Sequence, residues 1–408
     1  MIQEIRIKNY LSFRDEVVLS FEATKDTTFE ECQVVNVTPK VRLLRFALVY
    51  GANASGKSNL LNAMDFLRDF WFDKKSDIDE KTGVVPFLLD TETPNEPSEF
   101  NVKFFVGDKR YWYALVLDDK QVIKEDLYVY NSVQPSLVFS RELDGTASLI
   151  KLNASLVKAN ATIVEQLNVK CLSNMSFFAA RNQVNCSLAY IDEVRDWMKN
   201  NMMPIIKPDT RMFEYAGKQM EKNAELKAYI LDFVHKADYN ITDVYTEREK
   251  VPIPDFVKAS IMEDKDIPEK AKEKMLADNA LERLRTDFQH TVKNKRGEEN
   301  YRLPNSLQSE GTKRTFGIEA AIYEAIKTNG ILPIDEIESS LHPELVEFII
   351  EKFLKEKSRS QLIVTSHYDP LLNTVDDLIR KDSVWFTEKE KDGHTTLYSL
   401  TDFKGLSK

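Results

Sequence analysis

The chain has 408 residues, more than one compact core usually holds, and its length predicts two or three domains. It is 42% hydrophobic and 30% charged, which is ordinary for soluble globular proteins and excludes disorder and collagen-like repeats. The formal net charge of −10 excludes a protein that binds nucleic acid over its whole surface, although it leaves room for a local basic stripe.

The sequence carries no sign of export or of membrane insertion. No apolar run approaches the ~18 residues that a membrane-spanning helix needs, and the first residues alternate charged and apolar types, unlike a secretory signal. The three cysteines, Cys32, Cys171 and Cys186, are too far apart for a disulfide framework or a structural zinc site. We therefore expect a cytoplasmic protein with reduced thiols and no membrane contact.

The pattern of elements along the chain is typical of an α/β protein. Two short strands open it, and LLRFALVY (43–50) is apolar enough for a strand buried on both faces of a parallel sheet. From residue 59 apolar residues recur at helical spacing, and 87–150 alternates as antiparallel strands do. The lysine- and glutamate-rich stretch 187–300 predicts helices, and a new α/β block follows Pro304. We expect three parts: 1–186, 187–300 and 301–408.

A phosphate-binding loop follows the strand 43–50. The segment GANASGKS (51–58) fits the pattern G-x-x-x-x-G-K-[ST], and it lies between a strand and a helix, as that pattern requires. Lys57 would pair with the β- and γ-phosphates of ATP, and the Ser58 hydroxyl would bind Mg²⁺. The alternative is a fortuitous glycine turn. The residues that would surround the phosphates are Gly51, Ala52, Asn53, Ala54, Ser55, Gly56, Lys57, Ser58 and Asn59.

Three polar segments in the last third of the chain complete a candidate site. A Ser-x-Gly turn, Ser309 to Gly311, opens a helix. The strand ILPI ends in Asp335 and Glu336, and the strand QLIVTS ends at His367. Taken singly, these residues are explained as a helix cap, a solvated strand end and a surface histidine. Together, at the carboxyl ends of strands, they can hold Mg²⁺ (Asp335), accept a proton from the attacking water (Glu336) and bind the γ-phosphate (His367).

This set of motifs resembles the ATP-binding-cassette (ABC) ATPases, in the branch shared by SMC proteins, RecF and the OLD nucleases. The resemblance covers roughly 1–70 and 301–408. It implies an ABC-ATPase head: an α/β P-loop fold with a mixed or parallel sheet flanked by helices, an antiparallel β lobe in 1–186, a helical insertion in 187–300, and a second lobe in 301–408. It makes Ser309–Gly311 the signature motif, Ser339–His342 the D-loop and His367 the switch histidine.

Two further expectations follow from the resemblance. Gln183 is a candidate for the glutamine that contacts Mg²⁺ and the nucleophilic water, with an ordinary loop residue as the alternative. The signature helix of one subunit would face the nucleotide of another, so that two ATP molecules join a head-to-head homodimer or a higher homo-oligomer. Pro333 departs from the pattern, since proline is unusual inside a central strand.

Several segments resemble the RloA/AbiL-type abortive-infection ATPases of bacterial phage defence: IKNYLSF, SEGTKR, DEIESSLHPEL, TSHYDPLL and 385–404. This resemblance implies an ATPase that senses infection and regulates a separate effector with a TOPRIM- or nuclease-like fold. About forty residues follow His367, fewer than the ~100 that a fused effector domain typically needs. The alternatives are a RecF- or SMC-like ATPase that binds duplex DNA and an ATP-bridged scaffold that barely turns over. The basic run 292–302 could contact nucleic acid or a partner, or be a solvated loop.

Overall fold

The computed structural model describes residues 1–145, 147–237, 240–264 and 269–403. The chain divides into two compact units, which we describe separately. Unit 1 comprises 1–209, 324–339 and 346–408, and unit 2 comprises 210–323 and 340–345. The units group the residues differently from the three consecutive parts expected from the sequence, because each unit combines segments that are far apart in the chain.

Strands and helices follow one another in blocks along the chain. The strands within the described residues are β1 (Ile2–Lys8), β2 (Val17–Ser20), β3 (Val34–Thr38), β4 (Val41–Leu44), β5 (Phe46–Tyr50), β6 (Ser98–Val106), β7 (Lys109–Leu117), β8 (Val122–Tyr130), β9 (Ser136–Asp144), β10 (Ala147–Leu152), β11 (Ile241–Pro252), β12 (Ala280–Asn294), β13 (Gly297–Pro304), β14 (Ile331–Ile334), β15 (Gln361–Ser366), β16 (Val384–Lys389) and β17 (Thr395–Ser399). The helices in the same ranges are α1 (Glu30–Gln33), α2 (Lys57–Phe70), α3 (Ala161–Lys170), α4 (Phe177–Arg181), α5 (Ile191–Asn201), α6 (Met212–Lys222), α7 (Ala224–Lys236), α8 (Asp255–Glu263), α9 (Glu269–Asp278), α10 (Glu310–Thr328) and α11 (Pro343–Lys355).

Unit 1 contains a seven-stranded antiparallel sheet in the order β10-β9-β8-β7-β6-β1-β2. Its strands alternate buried and partly exposed residues, as a sheet with one covered face requires. In β7, for example, Tyr111, Tyr113 and Leu115 are fully buried while the residues between them are half-buried. This sheet is the antiparallel lobe that the alternation in 87–150 predicted, extended by the first two strands of the chain.

The second sheet of unit 1 has five strands in the order β14-β15-β5-β16-β17. The first four run parallel and β17 is antiparallel to β16. All residues of β14 and β15 are buried, as expected for strands covered on both faces. The register pairs Ile334 with Val364 and Tyr50 with Ser366, so three strands end at the same edge of the sheet.

Pro333 is accommodated because β14 has the main sheet on one side and only a short extended segment on the other. That segment pairs with β14 through Met202 and Ile206. The Pro333 carbonyl points to that segment and accepts a hydrogen bond from the Ile206 amide at 3.0 Å. The Asp335 amide then donates to the Ile206 carbonyl at 2.8 Å. The ladder toward β15 therefore does not use the amide hydrogen that proline lacks.

Unit 2 corrects the prediction that 187–300 is mostly helical. Beside α6 to α9, it contains a three-stranded antiparallel sheet in the order β11-β12-β13. Its core includes a cluster of three buried aromatic rings from α6, β12 and α10, namely Phe213, Phe288 and Phe316. The strands were missed because they are rich in Lys, Glu and Arg, which favour helices, and because strand formation here depends on pairing across the sheet.

The structure confirms the α/β P-loop architecture and the antiparallel β lobe predicted from the sequence. In α2 the residues expected at helical spacing, Leu60, Leu61, Met64, Leu67 and Phe70, are all buried. Within the described ranges, no helix combines the length and the apolar character needed to cross a membrane.

Candidate nucleotide-binding site

The segment 51–58 forms a tight turn between the end of β5 and the start of α2. Gly56 has a φ of 104°, and a Cβ built on it would lie 2.3 Å from Thr395 Oγ1. Ala54 also has a positive φ, of 64°. Only glycine fits at position 56, because both the dihedral angle and the neighbouring side chain exclude a Cβ atom. Ala52, Asn53 and Ala54 are exposed at the tip of the turn, where a ligand can reach their backbone.

The hairpin β16–β17 supports this turn from one side. Thr387 Oγ1 lies 2.6 Å from Ser55 Oγ, and Thr395 Oγ1 donates to the Ser55 carbonyl at 2.9 Å. The Thr395 amide donates to the Ser12 carbonyl at 2.7 Å, and Asn59 Nδ2 donates to Ser12 Oγ at 2.8 Å. Sequence reasoning did not identify these threonines and Ser12, because only the folded sheet brings them to the turn.

Lys57 is buried inside the turn that it follows. Its ammonium donates to the Gly51 carbonyl at 2.8 Å and to the Ala52 carbonyl at 2.9 Å. Burial lowers the pKa of Lys57 from its ordinary value. Three carboxylates act in the opposite direction on this pKa and therefore lie within electrostatic reach of the ammonium: Glu336, Asp335 and Glu338.

Asp335 and Glu336 lie directly beyond β14 and are held by the neighbouring strand β15. Thr365 Oγ1 donates to Asp335 Oδ1 and accepts a hydrogen bond from the Glu336 amide at 2.8 Å. Asp335 is buried, Glu336 is half-buried, and Glu336 has a φ of 45°, in the left-handed region. A left-handed backbone at a non-glycine residue costs free energy and is common at functional sites. Thr365 thus fixes both carboxylate-bearing residues.

His367 follows β15 and contacts a carboxylate that the sequence analysis did not assign to the site. Glu338 Oε1 accepts from the His367 amide at 2.9 Å and lies 2.9 Å from His367 Nδ1. Because the Gly51 amide donates to the Ser366 carbonyl at 3.4 Å, the segment with His367 is adjacent to the start of the phosphate-binding turn. The structure therefore brings together the segments with Lys57, Asp335 and His367.

The residues near Lys57 suit a magnesium ion that keeps water and phosphate ligands better than a metal ion held wholly by protein side chains. Within the described residues, no group of three or more His, Cys, Asp or Glu side chains could hold a metal by itself. Mg²⁺ typically takes one or two protein oxygens and completes its shell with water and phosphate oxygens. The Asp335 carboxylate and the Ser58 hydroxyl are oxygen ligands of this kind.

The Ser-x-Gly turn and the predicted D-loop contact each other within unit 2. A Cβ built on Gly311 would lie 2.5 Å from the Ser340 carbonyl oxygen, so glycine is required there. Ser309 Oγ accepts a hydrogen bond from the Thr312 amide at 3.0 Å and thus caps α10, as one interpretation of the sequence expected. Ser340 has a φ of 62°, and Ser339 donates to the Glu336 carbonyl at 2.9 Å in the turn before it.

The structure places Gln183 after α4 and the basic run in the β12–β13 hairpin. Gln183 follows α4 and its Nε2 donates to the Ala179 carbonyl at 3.4 Å. The adjacent Asn182 lines a cavity with Asp69 and Asp73, at the opposite end of α2 from Ser58. The run 292–302 forms the β12–β13 hairpin rather than a loop, with Lys293, Lys295 and Arg296 exposed near its tip.

The sequence matches a known protein family over most of its length. A family described as "AAA domain, putative AbiEii toxin, Type IV TA system" matches residues 46–151 and 192–373. These ranges include the turn 51–58, Ser309, Gly311, both carboxylates and His367. No curated protein sequence gave a significant match to the chain.

Solved structures of SMC heads are also similar to the chain. The SMC head domain from Thermotoga maritima has 13% identity and a TM-score of 0.45, and the alignment covers 98% of each chain. A structure of the SmcHead bound to the C-winged helix domain of ScpA has 13% identity and a TM-score of 0.43, covering 98% of this chain and 99% of that chain. An Smc head domain with an extended coiled coil, bound to the C-terminal domain of ScpA derived from Pyrococcus furiosus, has 14% identity and a TM-score of 0.40, covering 98% and 97%.

Proposed function

Because the chain belongs to the AAA family described as a putative AbiEii toxin of a type IV TA system, we propose that it binds ATP with Mg²⁺ at the turn 51–58 and hydrolyses it. The observation that carries this proposal is the position of Lys57. Its ammonium is buried in a glycine turn at a helix N-terminus, within electrostatic reach of the carboxylates that follow β14. A cation and a helix N-terminus attract a polyphosphate, and oxygen ligands nearby suit its magnesium ion.

The roles of the side chains follow from their positions. Lys57 exchanges its contacts with the Gly51 and Ala52 carbonyls for phosphate oxygens. Asp335 and Ser58 hold Mg²⁺, which neutralises charge on the phosphates when it is bound. Glu336 accepts a proton from the attacking water, and His367 binds the γ-phosphate. Gln183, which follows α4, is kept as the candidate contact to Mg²⁺ and the attacking water.

The active unit in this proposal is a head-to-head homodimer or a higher homo-oligomer. The N-terminus of α10, with Ser309 and Gly311, binds the γ-phosphate of the nucleotide held by another copy. The N-terminus of a helix offers backbone donors and a favourable dipole to an anion. ATP binding and dimerisation then strengthen each other to the same extent, by thermodynamic linkage.

In the cell, this ATPase acts as the sensor or regulator of a separate effector in bacterial anti-phage defence. The family's description, which names a putative toxin of a TA system, supports a two-component arrangement. The effector we propose has a TOPRIM- or nuclease-like fold. Copurification of such a protein with this chain supports the assignment, whereas ATPase activity with neither a partner nor a defence phenotype would contradict it.

A second candidate function is a DNA-binding ATPase of the RecF or SMC kind. A basic cavity of about 300 Å³ in unit 1 favours it, because four cationic side chains and one carboxylate line it: Lys25, Lys40, Arg42, Arg110 and Glu22. Phosphate contacts of this kind make binding strongly dependent on salt. ATP-dependent duplex binding by the isolated protein that weakens steeply with salt would favour this candidate over the first.

Two substitutions test the ATPase proposal. We expect Lys57→Ala to weaken ATP binding about tenfold or more, because an ammonium–phosphate contact is lost. We expect Glu336→Gln to keep ATP affinity within about threefold and to lower the rate of phosphate release at least a hundredfold, because the amide cannot accept the proton. Calorimetric titration measures affinity and a phosphate assay measures turnover. Lys81→Ala is the matched control, since this lysine is 75% exposed.

The outcomes separate the parts of the proposal. Unchanged ATP affinity in Lys57→Ala would exclude the turn 51–58 as the phosphate site. Equal loss of affinity in both variants would mean that Glu336 binds the nucleotide rather than the water. If the unaltered protein released no phosphate even with its effector, the proposal that the chain hydrolyses ATP would be wrong.

A further inference from the structure

The carboxylate of Glu338 holds His367 at two points. Its Oε1 accepts a hydrogen bond from the His367 backbone amide and lies 2.9 Å from Nδ1 of the ring. The Glu338 side chain is 11% exposed, whereas the His367 side chain is 45% exposed. The partly exposed ring is thus fixed along one edge by a nearly buried acceptor, and the nitrogen left for a ligand is Nε2.

The second oxygen of the Glu338 carboxylate makes no hydrogen bond with the described residues. Glu338 Oε2 is buried and has no hydrogen-bond partner among the described residues. Burying an unpaired carboxylate oxygen costs free energy, and a threonine or an amide could accept the same backbone hydrogen bond at lower cost. Local folding alone therefore does not explain a glutamate at this position, whose charge also acts to raise the pKa of Lys57.

We propose that Glu338 is a positioning residue for ATP hydrolysis: it orients the His367 ring so that Nε2 faces the γ-phosphate and the attacking water. This inference rests on the proposed ATPase function. A hydrogen bond at Nδ1 fixes which ring nitrogen meets the ligand, and an orienting carboxylate behind a histidine commonly has this role. Glu338 acts through His367 and touches neither nucleotide nor water.

A competing role for Glu338 is that of the proton acceptor itself, in place of Glu336. Oε1 is engaged by two donors of His367, and only the buried Oε2 is left to accept a proton, so the variants below decide between the two roles. Replacing the Glu338 carboxylate by an amide distinguishes the positioning role from the role of proton acceptor. Glutamine keeps an oxygen that accepts from the amide and from Nδ1–H, but it cannot take a proton from water.

The test compares four variants of the full chain: Glu338→Gln, Glu338→Ala, His367→Ala and the double variant Glu338→Ala/His367→Ala. We expect Glu338→Ala to lower kcat about tenfold or more, with the affinity for a non-hydrolysable ATP analogue within about twofold. Glu338→Gln should keep kcat within about threefold of the unaltered protein, since the amide oxygen replaces the acceptor. The double variant should be no slower than His367→Ala alone, because Glu338 then has no ring to orient.

The control variant is Glu351→Ala, which removes a half-exposed glutamate paired with Lys355 on α11 and should leave kcat unchanged. If Glu338→Ala does not fold, Glu338→Met keeps the bulk of the side chain without its acceptor and takes its place. The chain has five histidines, so ¹⁵N labelling of histidine with His367→Ala for assignment also reports the ring directly. We expect the resonances of His367 to shift in Glu338→Ala and to remain in Glu338→Gln.

Several results would overturn the inference: an unchanged kcat in the variants without an acceptor, losses that multiply in the double variant, or a Glu338→Gln variant as inactive as Glu336→Gln. The last result would make Glu338 the proton acceptor. Failure of the ATPase proposal looks different, since the unaltered protein would then release no phosphate at all.

Discussion

At the scale of single residues, a buried ion pair links neighbouring segments of the antiparallel lobe. Glu125 and Arg141 lie on adjacent strands with fully buried side chains, 3.5 Å apart. The Glu125 carboxylate also accepts hydrogen bonds from the hydroxyls of Tyr113 and Ser176 and from the Phe177 amide. Burial raises the pKa of Glu125 from its ordinary value, and the arginine only partly offsets this. The pair therefore ties the segment before α4 to the sheet.

We expect Glu125→Ala to lower the free energy of unfolding by about 3–5 kcal/mol, because it leaves the Arg141 guanidinium buried without its partner. Glu99→Ala is the control, since Glu99 pairs with Lys8 at the surface and should contribute less than about 1 kcal/mol. Denaturant unfolding followed by circular dichroism measures both. Equal effects of the two substitutions would mean that the buried pair does not stabilise the lobe.

At the same scale, residues with a motif around them could be predicted and isolated ones could not. Lys57, Asp335 and His367 follow strands with a fixed spacing, and the structure brings their segments together. Thr365 and Glu338 were missed, because their contacts depend on the register of β15 beside β14. Gln183 had no motif around it, and the structure places it after α4, where its Nε2 donates to the Ala179 carbonyl.

At the scale of elements, the β16–β17 hairpin supports the phosphate-binding turn, although no residue of the hairpin was assigned to the candidate site from the sequence. Gly56 needs its lack of a side chain because Thr395 occupies the adjacent space. The Thr395 hydroxyl donates to the Ser55 carbonyl and lies 2.8 Å from Ser12 Oγ. The hairpin therefore determines the shape of the turn that would receive the phosphates.

We expect Thr395→Val to weaken ATP binding about fivefold to tenfold, which corresponds to about 1 kcal/mol for one buried hydrogen bond. Valine has nearly the same shape, so the melting temperature should change little. Thr396→Val is the matched control, because its hydroxyl donates to the Glu388 carbonyl at 3.4 Å, within the hairpin itself. Wild-type affinity in Thr395→Val would show that the hairpin does not shape the turn.

Elements with a clear pattern of buried apolar residues were predicted well from the sequence. Strands that depend on pairing with a distant segment were predicted poorly. Of the predicted strand 43–50, residues 46–50 form β5, whereas 43 and 44 belong to β4 in another sheet. β5 and the helix after residue 59 could be predicted because their apolar patterns are unambiguous. β11 and β12 could not, since their composition favours helices and their partners are remote in sequence. The position of Pro333 inside a strand could not be explained from the sequence, because the explanation is the pairing of β14 with the segment 202–206.

At the scale of the whole molecule, the proposal requires two copies, because Ser309 of one copy would complete the site of the other. Lys57 and Ser309 belong to different compact units of the chain. The proposed assembly therefore predicts a specific pattern of complementation between inactive variants.

We expect Lys57→Ala and Ser309→Glu each to abolish phosphate release, and an equal mixture of the two to recover up to about a quarter of the wild-type rate. Half of the dimers then contain one of each subunit, and one of the two sites in such a dimer is intact. A phosphate assay on the purified proteins, alone and mixed, measures this. No recovery on mixing, while both variants remain folded, would contradict a shared site.

Gly311 has a consequence for how such a dimer would behave. The space that a methyl group would need at this position is filled by the oxygen of Ser340, and three residues separate Ser340 from Glu336. In the proposed dimer, a nucleotide of the neighbour that displaces the first turn of α10 would also displace Ser340, which follows the proposed proton acceptor Glu336 in the chain. Binding of ATP at one site would therefore influence Glu336 of the copy that contributes α10.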